Sequence, residues 1–239
     1  MPDVTPVVFI VDPDASSRES VEEQILCAGL RPQCFGTAAE FLHRPRLAVP
    51  SCLVLDVSLP DVGGLELQAR VAAESNEMPI IFFTVCQDVA TTVRAMKAGA
   101  FEFLTKPSDM HRLSSVVHNA VERSRMTLAR EAEVHTLRER LWSLTPRERQ
   151  VLTLVASGRM NKQVGGELGI SEITVKAHRG KVMRKMQAAS LAQLINMAGR
   201  LRLAVPLRRD TTVTEDVLAE LVVSTRVPTA SVLDAGRRR

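Results

Sequence analysis

The sequence contains few aromatic residues and few cysteines, and it lacks any long apolar segment. Aromatic side chains make up 3% of the 239 residues, with no tyrosine and one tryptophan. The four cysteines show neither CxxC nor Cys/His spacing, which argues against a zinc motif or a disulfide framework. No apolar run reaches the roughly 18 residues of a membrane span, and the first residues do not resemble a secretory signal. We therefore expect a cytoplasmic protein without membrane contacts.

The charge differs between the two halves of the chain, whose length suits two compact domains. Residues 1–125 hold 11 basic and 16 acidic side chains, whereas residues 126–203 hold 14 basic and 6 acidic ones. A basic carboxyl-terminal module favours binding to phosphate backbones. The acidic half is not expected to bind nucleic acid.

Short apolar runs alternate with amphipathic segments through the first half. Strands are predicted at 7–11, 32–35, 52–55, 79–83 and 101–104, and helices near 16–29, 37–44, 63–75 and 88–98. The first helix is expected to turn Val21, Ile25 and Leu26 inward. This alternation predicts an α/β domain with a five-stranded parallel sheet covered on both faces.

Polar side chains follow the predicted strands at their carboxyl ends: Asp12, Asp14, Asp56, Thr84 and Lys106. Any one of them alone could be a helix cap or a turn residue. Ligands of such sheets bind beyond this edge, so the five together indicate a site. The set suits phosphoryl transfer to a carboxylate, with Asp56 as nucleophile, Lys106 neutralising charge and the Thr84 hydroxyl donating to a phosphoryl oxygen.

Oxygen atoms near Asp56 suit Mg²⁺, which prefers oxygen ligands and keeps several waters. The expected ligands are Asp12, Asp56, the main-chain carbonyl of Ser58 and, in a lesser role, Asp14. Mg²⁺ is thus the expected cofactor of this edge of the sheet.

Four motifs carry a resemblance across residues 5–125: IVDPD (10–14), LVLDVSLPDVGG (53–64), FFT (82–84) and MKAGAFEFLTKP (96–107). This region resembles the receiver domain of two-component response regulators. The resemblance implies a flavodoxin-like fold, phosphorylation of Asp56 by a sensor histidine kinase, and a switch in which Thr84 moves toward the phosphoryl group while Phe103 rotates inward. Simple core filling is the alternative role for Phe103.

Two positions depart from the receiver pattern. Pro13 stands where a second adjacent acid is usual, and Val85 where a small residue is common. Weaker Mg²⁺ binding and slower phosphorylation are therefore expected. The alternative is an atypical receiver, independent of phosphorylation, that serves dimerisation or partner sensing. An aspartyl-phosphate phosphatase would need a second acid where Ser58 stands, so we do not expect an enzyme.

Residues 110–144 contain neither proline nor glycine, which predicts one long helix or two abutting ones. We assign 126–143 to a linker helix. Its leucines fit either a short helix-pairing seam or packing onto a neighbouring domain.

The second domain, 144–203, begins with a capping box at Thr145-Pro146-Arg147-Glu148. Helices are predicted to about 157, over 161–168, from Ser171 to Gln187, and near 190–202. In the third of these, Val175, Val182 and Met186 share one stripe, and a small, basic stripe lies opposite. A glycine inside a helix costs roughly 1 kcal/mol relative to alanine, so Gly180 suggests close approach by a ligand such as DNA in its major groove. An ordinary amphipathic surface helix is the alternative.

The segment LTPRERQVLTLVASGRMNKQVGGELGISEITVKAHRGKVMRKM (144–186) resembles the helix-turn-helix domain of FixJ/NarL-type, or LuxR-type, regulators along its whole length. The resemblance implies that Lys176, Ala177, Gly180 and Lys181 face the groove. It likewise implies that Asn161, Lys162, Thr174 and Arg179 contact phosphates, and that the last helix dimerises. Met160 departs from the usual Ser or Thr, and Gly180 replaces a side chain that some members use to contact a base.

These features together predict a transcriptional regulator whose phosphorylation promotes dimerisation and promoter binding. Its expected partners are double-stranded DNA, a sensor histidine kinase, a second copy of the chain and RNA polymerase. Residues 204–239 are expected to be a partly disordered extension. An additional phosphate or dimer contact is the alternative for that segment.

Overall fold

A computed structural model describes residues 5–45, 47–73 and 78–203, so the predicted extension at 204–239 lies outside the described residues. The chain divides into two compact units, Met1–Trp142 and Ser143–Arg239. Each unit is described by itself below.

The first unit is built on a five-stranded parallel sheet in the order β2-β1-β3-β4-β5. Its strands are β1 (Val7–Val11), β2 (Arg31–Phe35), β3 (Ser51–Leu55), β4 (Ile80–Thr84) and β5 (Glu102–Thr105). Its helices are α1 (Ala15–Cys27), α2 (Ala38–Leu42), α3 (Gly64–Ala73), α4 (Val89–Lys97) and α5 (Met110–Trp142). The predicted strand and helix order is confirmed, with boundaries shifted by at most two residues.

Side chains of β1 alternate between two apolar clusters, as expected for a sheet buried on both faces. Val8 and Ile10 pack in the cluster that also contains residues of α1 and α5. Phe9 and Val11 point to the opposite cluster, which includes Phe41 and residues of α3. This burial on both faces explains why the strands have continuous apolar sequences.

Helix α1 buries a narrower face than its sequence pattern suggests. Val21 and Ile25 are fully buried, but Leu26 is 56% exposed. The prediction that Leu26 faces inward was therefore wrong. Consecutive helical residues are rotated by about 100°, and this rotation carries the residue after Ile25 off the buried face.

The segment after β5 forms one continuous helix, α5, which is the first of the two alternatives for this region. Its first half packs Leu113, Val117 and Val121 into the sheet cluster. The Ser124 hydroxyl accepts a hydrogen bond from the Ser51 main-chain N–H at 3.0 Å. The segment assigned to a linker, 126–143, is thus largely the continuation of a helix anchored on the sheet.

The second unit contains four helices among its described residues: α6 (Pro146–Ala156), α7 (Asn161–Leu168), α8 (Glu172–Met186) and α9 (Leu191–Arg200). The capping box at Thr145 and Glu148 is present as predicted. Val151 and Leu152 are fully buried. In α9, Leu194 and Ala198 are buried, whereas Leu191 and Ile195 remain about 40% exposed.

Across the part of the chain that the structure describes, no helix combines the length and the apolar character that crossing a membrane requires.

Candidate functional site

An acidic site lies at the carboxyl edge of the sheet, where β1, β3 and β5 end. Asp12 and Asp56 follow β1 and β3 directly, and both residues are more than nine-tenths buried. The Lys106 ammonium bridges them, with its Nζ 2.6 Å from Asp12 Oδ2 and 2.5 Å from Asp56 Oδ2. Burying two carboxylates is costly unless they are paired, and this shared cation provides the pairing.

The second carboxylate oxygen of Asp56 faces hydrogen-bond donors. The Thr84 hydroxyl donates to Asp56 Oδ1 at 2.8 Å, and the Ser58 N–H donates to the same atom at 2.9 Å. Thr84 is fully buried at the end of β4. The structure therefore brings together the aspartate, threonine and lysine that the sequence placed at separate strand ends.

Asp12 is held by two residues that the sequence analysis did not single out. The Ser17 hydroxyl donates to Asp12 Oδ2 at 2.7 Å, and the Arg18 guanidinium donates to the Asp12 main-chain carbonyl at 2.6 Å. Both lie on the first turns of α1. They are neighbours on α1 and follow no helical spacing, so nothing in the sequence indicated that both contact a strand end.

Asp14 lies at the amino-terminal end of α1. Its carboxylate is the N-cap of α1 and accepts the Ser16 N–H at 3.0 Å. One of its oxygens is therefore engaged in capping, which is the ordinary use of an aspartate at this position. Pro13 is exposed, and Val85 projects into solvent with 67% of its surface accessible.

Two further residues shape the surroundings of Asp56. Phe103 is half-buried on β5 and stacks on Phe82, with ring centroids 5.7 Å apart, so it fills space beside the core. Gly64 begins α3 at a close approach, because a Cβ there would lie 2.3 Å from the Asp56 main-chain oxygen. Only glycine fits without moving the backbone of Asp56.

The second candidate site is the exposed face of α8. Ser171 caps this helix by accepting the Thr174 N–H at 3.2 Å, while Val175, Val182 and Met186 are buried beneath it. The opposite face is exposed and carries the predicted groove-facing residues: Lys176, Ala177, Gly180 and Lys181. The helix thus presents its small, basic stripe to solvent.

The residues predicted to contact phosphates differ in their surroundings. Lys162 is exposed, and Thr174 shares a hydrogen bond of 2.8 Å with the Ser171 hydroxyl. Arg179 donates to the Asn161 side-chain oxygen at 2.6 Å, so these two residues form a pair. Asn161 on α7 thereby orients a cation of α8.

Glycines of the two helices differ in what surrounds them. A Cβ on Gly180 would meet nothing within 4 Å, so packing inside the protein does not require glycine there. A Cβ on Gly165, in contrast, would lie 2.7 Å from the Ile170 carbonyl oxygen. Gly165 lets α7 approach the turn closely, a role that the sequence analysis missed because the contact joins two elements.

Side chains of α6 anchor the helix-turn-helix at its turn and at the end of its second helix. The Arg147 guanidinium donates to the Leu168 carbonyl at the end of α7. Buried Glu148 pairs with Lys185 of α8, with 2.7 Å between Oε2 and Nζ. The hydrogen bond from Lys185, together with that from the Thr145 N–H, holds the pKa of Glu148 below its ordinary value. A glutamate of the capping box therefore also holds α8 in place.

Comparison with known proteins identifies a family for each of the two units. Residues 8–118 match the response regulator receiver domain, and residues 142–198 match the luxR family of bacterial regulatory proteins. Nodulation protein W of Bradyrhizobium diazoefficiens is 46% identical over 192 residues, which are 80% of this chain and 85% of that protein. The chain belongs to the response regulators.

Other response regulators support the same assignment. The response regulator protein TodT of Pseudomonas putida is 36% identical over 84% of this chain and 89% of its own length. The low-resolution structure of response regulator StyR matches with a TM-score of 0.72 and 42% identity, covering 82% of this chain and all of that one. This domain pair is that of a two-component transcription regulator.

Receiver domains generally bind Mg²⁺ at the phosphorylation site, and the residues of this response regulator fit such an ion. The donors are all oxygens, and Asp12 and Asp56 already converge on one cation, Lys106. Within the described residues no group of three or more His, Cys, Asp or Glu side chains is placed to hold a metal. An ion here would therefore rely on two carboxylates, a carbonyl and water, which Mg²⁺ readily retains.

Proposed function

We propose that this response regulator is phosphorylated on Asp56 by a sensor histidine kinase and that phosphorylation promotes dimerisation and promoter binding. The supporting observation is the convergence of Thr84 and Lys106 on the two oxygens of the buried Asp56 carboxylate. Lys106 would neutralise the charge of the phosphoryl group, and the Thr84 hydroxyl would donate a hydrogen bond to one of the phosphoryl oxygens. Phe103, half-buried beside Phe82, would rotate inward as Thr84 moves.

Mg²⁺ would be held by Asp12, Asp56 and the Ser58 carbonyl, with Asp14 in a lesser role. Bound there, the ion would screen the negative charge between the acceptor and the incoming phosphoryl group. Ser17 and Lys106 fix the orientation of Asp12 for this task. Because Pro13 supplies no carboxylate, affinity is expected to be lower than in receivers with two adjacent acids.

DNA binding is assigned to α8. Lys176, Ala177, Gly180 and Lys181 would face the major groove, and the phosphate contacts would come from Asn161, Lys162, Thr174 and Arg179. The support is an exposed basic face opposite a buried apolar stripe in a family whose members bind DNA. A second copy through α9 and RNA polymerase complete the proposed partners, and the proposed location is the cytoplasm.

In this proposal, phosphorylation shifts the equilibrium between the inactive and active states of the receiver domain. The phosphoryl group stabilises an active state of the receiver only to the extent that it interacts more favourably with that state. Dimerisation and release of the DNA-binding domain would belong to the active state.

The test is incubation of the full-length protein with acetyl phosphate and Mg²⁺, followed by intact-mass measurement and DNA binding. One phosphoryl group should add to the wild type and none to Asp56→Asn, and DNA affinity should rise only where mass is gained. Asp61→Asn serves as control, since Asp61 lies in the same loop but binds main-chain N–H groups of α2.

The alternative is a phosphorylation-independent receiver, favoured by the exposed proline at position 13. No mass gain at Asp56, together with unchanged DNA affinity, would establish this alternative and refute phospho-control. Loss of DNA binding in both states would refute the assignment of α8 instead.

A further inference from the structure

Ile173 is the most solvent-exposed large apolar side chain in the described part of the chain, at 79%. It lies in the first turn of α8, one residue after Glu172. Four and seven residues later on the same helical stripe lie Ala177 and Gly180, which are exposed as well. An isoleucine thus projects from the amino-terminal end of a surface that is otherwise small.

Packing within the second unit gives no reason for an isoleucine here. The buried residues Val175, Val182 and Met186 hold α8 in place, and the Ser171 side chain caps it. Isoleucine is also a poorer helix former than alanine. Exposing a large apolar surface brings no stability, so the side chain is suited to contact with something outside the domain.

The charges around Ile173 favour DNA as that partner. Lys176 and Lys181 flank the stripe, and Arg184 continues it. The Lys176 Nζ lies 3.3 Å from the Glu172 carboxylate, but this ion pair is exposed and therefore weak. A phosphate or a base edge can therefore replace Glu172 as the partner of Lys176. Ile173 is an apolar side chain with cations around it. Its binding partner should therefore carry many negative charges and also expose an apolar group.

The major groove has one apolar group on its base edges, the 5-methyl group of thymine. Recognition helices of helix-turn-helix domains place their amino-terminal residues at the base edges. Because Ala177 and Gly180 have little or no side chain, the α8 backbone can come close to the groove, and Ile173 then protrudes toward the bases. We propose that Ile173 determines sequence preference by contacting a thymine methyl group in each half-site.

This inference rests on the proposed binding of DNA by α8, and the experiment separates the two. The full-length protein is first used to select duplexes from a randomised pool. Each thymine of the selected duplex is then replaced in turn by deoxyuridine, which removes the methyl group alone. Affinity is measured for the wild type, Ile173→Ala and Ile173→Val.

For the wild type, one deoxyuridine position per half-site should weaken binding about fourfold, the factor for burying one methyl group. Ile173→Ala should bind the thymine duplex more weakly and show no difference between thymine and uracil at that position. Ile173→Val keeps a branched side chain and should retain part of the difference. Met126→Ala, which truncates another exposed apolar residue, should behave as the wild type.

Truncation of so exposed a side chain should leave helical circular dichroism unchanged, which verifies that Ile173→Ala is folded. Equal loss of affinity for thymine and uracil duplexes would overturn the methyl contact while leaving DNA binding by α8 intact. A change in oligomeric state with unchanged DNA affinity would also overturn it, since Ile173 would then contact protein. Failure of the wild type to select any sequence would refute the proposed function itself.

Discussion

Gly165 and Gly166 are adjacent in α7, and we expect alanine substitution to change the stability of the second unit in opposite directions at the two positions. Alanine at either position should gain up to about 1 kcal/mol in helix propensity. A Cβ at Gly166 meets nothing within 4 Å, but one at Gly165 would lie 2.7 Å from the Ile170 carbonyl oxygen, where ordinary contact begins at 3.4 Å. The turn would have to shift by about 0.7 Å, and such overpacking typically costs about 1–3 kcal/mol.

The shift at Gly165 is not easily absorbed, because the Gly165 carbonyl accepts N–H groups from both Gly169 and Ile170. We expect Gly166→Ala to stabilise the helix-turn-helix and Gly165→Ala to be less stable than Gly166→Ala by about 1–3 kcal/mol. This free-energy difference corresponds to a roughly 5- to 150-fold difference in the equilibrium constant for unfolding.

Hydrogen exchange of the full-length protein, followed by mass spectrometry of peptides covering α7 and α8, measures this difference directly. Peptides from the first unit provide the internal reference, since both substitutions lie outside it. Equal protection of α7 and α8 in the two variants would show that the turn tolerates a Cβ at Gly165, and the close-approach argument would then be wrong.

Three other predictions follow from the two sites. Pro13→Asp should restore a carboxylate beside Asp12, and calorimetry should show tighter Mg²⁺ binding than in the wild type; unchanged affinity would mean that Pro13 is not the limiting feature. Lys162→Ala should weaken binding to all DNA sequences alike and reduce the salt slope by about 1, whereas Lys176→Ala should relax sequence preference; identical behaviour of both variants would contradict the assignments. The pKa of Glu148 is held below its ordinary 4.5, so its ion pair stabilises the second unit fully above that pH and progressively less as the pH falls toward the lowered value. Urea unfolding of Glu148→Gln should therefore show a weaker loss of stability on acidification than the wild type, and a parallel loss would refute the linkage.

Local sequence patterns were sufficient to predict most elements of the fold. The apolar runs and caps indicated all five strands and the helices between them, since a strand buried on both faces leaves a clear signal in the sequence. Leu26 was misassigned because the pattern does not reveal how wide a buried face is. The ends of β1, β3, β4 and β5 pointed to Asp12, Asp56, Thr84 and Lys106 as one group, because parallel strands bring their carboxyl ends to one edge.

Contacts between one element and the next could not be predicted from such patterns. Ser17 and Arg18 were missed because their bonds to Asp12 depend on how α1 leaves β1. The Ile170 carbonyl that excludes a side chain at Gly165 belongs to a turn formed only after α7 has ended.

The sequence by itself determined the order of strands and helices, the two families and the residue types available at each site. Hydrophobic periodicity, helix capping and the residue types at strand ends are local properties, so a short stretch of sequence is enough to predict them. Only the tertiary structure decided which oxygen of Asp56 each donor meets, and that Gly180 has open space around it while Gly165 does not. These outcomes depend on differences of a few tenths of an ångström in the contacts between elements, and packing of the whole domain sets those contacts.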